Sequence, residues 1–212
     1  MPMVVSKNVD VGLRWSAAIC ASISLVALVS HVLGPLPMAY FLTFFGVPSV
    51  LLLFALAAVG RWINARVLLN GLVVGVVGGL IATVVYDVVR WVLNQTVFTH
   101  FHPFKAIYIF GSWITGKDVW TTEAALAGWI YHFWNGLSIA LFYTLTFGRR
   151  HWLYAVGWAL FMEACTLGLF PYFIQVTNQL DFIALSMIGH FAYGVALGLI
   201  AQKYALNWQD AV

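Results

Sequence analysis

Asp87, His132, Glu163 and His190 have the chemistry of a site, yet each lies inside a long apolar run. Two carboxylates and two imidazoles can ligate a transition metal. The imidazoles favour Zn or Fe, and the carboxylates supply hard oxygens and negative charge. Asp87 and Glu163 are also the candidate catalytic acids or bases, because a carboxylate left free of metal can move protons. His132 and His190 alone could instead hold a haem as axial ligands. In an apolar segment such groups are costly and face the interior of a bundle, where they mark function more often than elsewhere.

The spacing repeats. His132-Phe133-Trp134-Asn135-Gly136 and His190-Phe191-Ala192-Tyr193-Gly194 share the pattern His-Phe-x-x-Gly, and each follows a segment with one acid, Asp87 or Glu163. The two halves read as copies of an acid-helix, histidine-helix hairpin, with a site at their interface. Asn135 and Tyr193, three residues after the histidines, stand where they would orient the imidazoles. Arg90, Tyr86 and Tyr131 are further candidate neighbours. Blander readings stand beside these. Asp87 and Arg90, three apart on a helix, can neutralise each other, and either histidine alone reads as a hydrogen-bonded core residue. The His100-Phe101-His102 pair reads as a loop feature without further ligands nearby. One metal ion is expected over two, because no Glu-x-x-His motif of di-iron bundles occurs.

The elements that must position these groups follow from composition. Of 212 residues, 63% are hydrophobic and 8% charged, against roughly a quarter charged in a soluble domain. So little charge cannot coat a soluble surface, and it argues equally against disorder and nucleic-acid binding. Cys20 and Cys165 fall in apolar runs and do not form a disulfide framework. The fold expected is all-α: one integral-membrane domain over 1–212, a six-transmembrane-helix bundle. A spanning helix needs about 20 apolar residues, which gives Trp15–Gly34, Met38–Gly60, Val67–Leu93, Glu123–Phe147, His151–Ile174 and Phe182–Lys203. The first is too long, and too closely followed by a second, to be a cleaved signal peptide.

Lys7, Arg14, Arg61, Arg66, Arg149, Arg150 and Lys203 fall on one side of these spans, and Arg90, Lys105 and Lys117 on the other. Both termini are therefore predicted to be cytoplasmic, in a cell inner membrane. With that topology the four site residues lie roughly 9 to 17 Å below the outer surface, in one layer, at a rise of 1.5 Å per residue. The connection Asn94–Thr122 is too rich in aromatics for a solvated loop, and the helix within it is too short to span. Pro103 opens a short helix there to about Thr115, expected as an interfacial or re-entrant element over the outer mouth. Gly71, Gly75 and Gly79 recur at small-xxx-small spacing, suiting close helix packing within the bundle ahead of a dimer. Pro48 and Pro171 are expected to kink their helices.

There is no Gly-rich phosphate loop, no His-Glu-x-x-His, no Gly-x-Ser-x-Gly and no Cys-x-x-Cys. The expected function is a metal-dependent membrane enzyme acting on a lipid or other membrane-soluble small molecule. The alternatives are a haem-binding electron-transfer protein, a proton-coupled transporter, or a subunit of a larger membrane complex or homo-oligomer.

Overall fold

A computed structural model of the chain describes residues 7–99, 102–169 and 179–207. Among them there are helices and no strands. In chain order these are α1 (Lys7–Leu33), α2 (Met38–Trp62), α3 (Arg66–Thr96), α4 (Lys105–Thr115), α5 (Thr122–Thr146), α6 (Trp152–Leu169) and α7 (Gln179–Tyr204). Four segments are long and apolar enough to cross a membrane: Asn8–Leu33, Met38–Trp62, Arg66–Thr96 and Leu180–Tyr204. Their outer faces are apolar, with Leu51, Phe54, Val73, Val77, Val84, Val88 and Leu199 all exposed. Such a surface suits lipid, not water.

α5 is equally long, at 25 residues, but is not among these four. It packs against α1, α3 and α4 at once. Its burial is against protein, which removes the need for an all-apolar surface and leaves room for Trp129, His132 and Asn135. Tyr143, Thr144 and Leu145 are buried in it. Around α5 the helices run in the order α2, α1, α5, α3, α7, α6, each packed on the next. The curl does not close. α6 packs on α7 and meets α5 chiefly through Trp158, whose ring stacks on Phe142 and whose indole N–H donates to the Ile139 carbonyl at 3.1 Å. Among the described residues α1 and α6 share no extended packing.

Glycines set the tight seams. A Cβ on Gly75 would meet Thr144 Oγ1 at 2.6 Å, and one on Gly79 would meet Ala140 Cβ at 2.9 Å. The four-residue glycine spacing therefore serves α3–α5 packing inside one chain. Gly136 and Gly194, the last residues of the two His-Phe-x-x-Gly motifs, play matching parts. Gly136 abuts Thr83 of α3, and Gly194 abuts Ala155 and Val156 of α6. In each half the glycine lets the histidine helix approach the helix that carries the acid.

The expected boundaries hold to within a few residues at most ends, with one large difference. α1 begins at Lys7, eight residues before Trp15. Asp10 and Arg14 are buried within it, 3.2 Å apart at i and i+4, and this mutual neutralisation lets the helix continue through two charges. In α2 the hydrogen-bond ladder widens to a π turn over Leu42–Gly46, just before Pro48. Proline cannot donate to the preceding turn, and the wider turn absorbs that loss. Pro171 and Ile174 lie outside the described residues.

α4 lies antiparallel on the start of α5. A Cβ on Gly111 would run into the Ala124 carbonyl, and one on Gly128 into that of Ile107. Gly116, at φ +68°, ends α4 in the left-handed conformation that favours glycine. Thr121 caps α5 by accepting from the Ala124 N–H at 3.3 Å.

Candidate functional site

α3 and α5 bring Asp87 to His132. The imidazole Nε2 lies 2.9 Å from one carboxylate oxygen and 3.2 Å from the other. α6 and α7 bring Glu163 to His190, with Nδ1 3.3 Å from Oε2. Tyr86 joins the two pairs. Its ring lies 4.8 Å from the His190 ring, edge to face, and 5.8 Å from that of His132. The quartet is thus two acid–histidine pairs bridged by a tyrosine, each pair drawn from one of the two hairpins.

His190 Nδ1 is also 3.1 Å from the Ser186 carbonyl oxygen. A carbonyl only accepts, so Nδ1 carries the proton and Glu163 Oε2 is its second acceptor. In the neutral ring the lone pair is then on Nε2. A carboxylate behind one nitrogen and a lone pair on the other make His190 a base with a fixed orientation. The remaining oxygen of Glu163, Oε1, is buried and has no hydrogen-bond partner among the described residues, in a residue only 1% exposed.

Glu163 and both histidines face a cavity of about 550 Å³, within the usual range for a small-molecule site. His132, Glu163, His190, Tyr86 and Arg90 line it, and Asn135 and Tyr193 contribute to its wall. Leu25, Leu28, Ile107, Phe110 and Ile139 make most of the rest apolar. Val26 and Val29 of α1 and Cys165 of α6 also line it, and all three are exposed on the outer face. They are the lips of the gap where the curl fails to close. Among the described residues the cavity therefore opens sideways, between α1 and α6.

Several sequence expectations need correction. Asp87 is not in the cavity wall; it stands behind His132. Asp87 and Arg90 do not neutralise each other. Arg90 instead donates to the Tyr86 hydroxyl at 2.5 Å and to the Pro103 carbonyl at 2.6 Å. Tyr131 is elsewhere: its hydroxyl donates to the Ser24 carbonyl at 2.9 Å and its ring packs with Phe110. Adjacency in sequence turns a helical side chain by about 100°, so being next to His132 carries Tyr131 towards α1. Tyr193 points away from its own histidine and donates to the Gly136 carbonyl at 2.6 Å, tying α7 to α5. Asn135 Oδ1 lies 3.3 Å from the Ser24 hydroxyl of α1.

Among the described residues, no three His, Cys, Asp or Glu side chains converge as a metal site would require. Glu163 and His190 are two such donors, and His132 is turned to Asp87. For a haem, His132 Nε2 is taken up by Asp87, and the Tyr86 ring packs on both imidazoles. His100 lies outside the described residues. His102 accepts from the Phe104 N–H at 3.2 Å and packs among Tyr108 and Trp120.

Sequence reasoning missed α1 as a wall, because Leu25 and Val29 resemble every other residue of an apolar span. It missed Ser186 too, although its position four residues before His190 was a readable signal. Comparison of the chain with protein-family models, curated proteins and solved structures finds no match.

Proposed function

We propose that this chain is an integral membrane protein of six spans, both termini cytoplasmic, that takes a membrane-soluble molecule into its cavity from the side. There Glu163–His190 and Asp87–His132 act on it as acid–base pairs, making a membrane enzyme the first reading. The observation that carries this is the lateral gap between α1 and α6, which leads from an apolar outer surface to two carboxylate-backed imidazoles. Water-soluble substrates have no reason to enter through a lipid-facing slot, whereas molecules dissolved in the bilayer arrive there by diffusion in the plane. α4 covers the cavity with Ala106, Ile107 and Phe110, and supports an interfacial cover that keeps the site dry. A dry site strengthens each carboxylate–imidazole interaction.

Metal catalysis is set below this reading because the donors are divided into pairs and do not form one ligand set. Proton transport is the second reading, since acid and histidine groups at one depth can also relay protons. Native mass spectrometry of protein released from mild detergent tests the proposal. Wild type should carry a bound amphiphile at up to one per chain, and Cys165→Trp, filling the gap from an exposed position, should lose it. A wild-type protein that neither retains an amphiphile nor binds an added one would remove the cavity reading.

A further inference from the structure

Arg90 is 3% exposed and lines the cavity. An ionised side chain so deep is expected to be paired with an opposite charge. Among the described residues, no carboxylate lies within ion-pair distance of it. Asp87 is held by His132, and Glu163 stands beside His190. Two of the five guanidinium N–H groups go to the Tyr86 hydroxyl and the Pro103 carbonyl, and Nε is buried with no partner among the described residues. Phe104, Phe182 and Tyr86 pack around the cation at 6.0, 5.8 and 5.0 Å from their ring centres. Aromatic faces attract a cation, but they do not cancel its charge.

We infer that Arg90 is the receptor for an anionic head group, a carboxylate or a phosphate, on a single-chain amphiphile whose tail leaves towards the gap between α1 and α6. This rests on the cavity reading above and deepens it by naming the chemistry of the substrate's polar end. The fork of a guanidinium suits both oxyanions, which take two parallel hydrogen bonds from it. Tyr86 and Pro103 hold the fork in place from behind. The walls beyond it, Leu25, Leu28, Phe110 and Ile139, suit an alkyl chain. The head then rests within reach of Tyr86, which touches both imidazoles, so the acid–base pairs would act on the atoms next to the head and not on the tail.

Binding of dodecanoate, dodecyl phosphate and dodecanol to the full chain in lipid nanodiscs, read by displacement of a fluorescent fatty-acid probe, tests this. Wild type should bind at least one of the two anions tenfold or more tightly than the alcohol. The tighter anion names the head, carboxylate or phosphate. Arg90→Gln should bring anion and alcohol to within about twofold of each other, and Arg90→Lys should keep a preference for the anion. Folding of both variants is checked by detergent size exclusion. If Arg90→Gln does not fold, the anion-to-alcohol ratio of wild type still decides. Equal binding of anion and alcohol by wild type overturns the role of Arg90 while leaving the cavity reading in place. Binding of none of the three overturns both.

Discussion

Removing the imidazole of His190 isolates what the Glu163–His190 pair contributes. Glu163 is 1% exposed, its Oε1 has no partner among the described residues, and its Oε2 lies 3.3 Å from Nδ1. In His190→Ala both oxygens are left buried without a donor. Removing one member of a buried pair costs about 3–5 kcal/mol. The His190 side chain is 15% exposed, so the pair is incompletely enclosed by protein and the lower end, about 3 kcal/mol, is the better value. Glu163→Gln removes the charge that needs a partner and keeps an acceptor, and should cost about 1 kcal/mol. In the double variant no buried carboxylate remains, so the two effects should not add. The expected coupling is about 1.5–2 kcal/mol, well above the ~0.5 kcal/mol of independent sites. Unfolding by SDS in mixed micelles, followed by helical ellipticity, measures all four proteins under one condition. Additive single effects, within about 0.5 kcal/mol, would show that the two side chains are neighbours without being partners.

Other outcomes follow from other contacts. With six spans and cytoplasmic termini, Lys117→Cys should react with an impermeant maleimide from outside the cell, and Arg150→Cys should react only after permeabilisation. Reversed labelling would invert the topology. Gly111→Ala places a methyl group against the Ala124 carbonyl, so α4 should lift from α5 at a cost of about 1–3 kcal/mol, seen as a lowered unfolding midpoint; an unchanged midpoint refutes that seam. Partial desolvation beside Tyr108 and Trp120 holds the His102 imidazole, exposed on its other side, below its ordinary value of 6.5. The unfolded segment therefore binds more protons, and the stability of the 102–117 segment should be full above pH 6.5 and fall as pH drops through it. Hydrogen exchange across 102–117, corrected for intrinsic rates, should show that loss in wild type and not in His102→Phe.

How much of this was legible depended on which residues helix geometry constrains. Span ends and a fixed rise were enough to expect Asp87, His132, Glu163 and His190 near one another, and each acid does meet a histidine. The repeated motif marked two matching hairpins, whose glycines proved to be the close-approach points, but gave no sign that each acid would pair with the histidine of its own hairpin. What failed was inference from adjacency. Tyr131 and Tyr86 each neighbour a site residue, yet Tyr131 faces α1 while Tyr86 enters the cavity. Rotation about the helix axis separates such cases, and position in the chain does not. Nor do the four groups converge on one point among the described residues, since each imidazole is met locally by the acid of its own hairpin. The gap between α1 and α6 had no signal, because lip residues such as Val26 and Cys165 differ in nothing from lipid-facing ones.

The central claim is a cavity open to the bilayer with both acid–histidine pairs beside it. A cryo-electron microscopy map of the chain in a lipid nanodisc tests it most directly. The account predicts elongated density running from Arg90 and Tyr86 out between Val29 and Cys165, with Asp87–His132 and Glu163–His190 each within hydrogen-bonding distance. A map with α1 packed against α6 along their length, or with either histidine turned out to lipid, would contradict it.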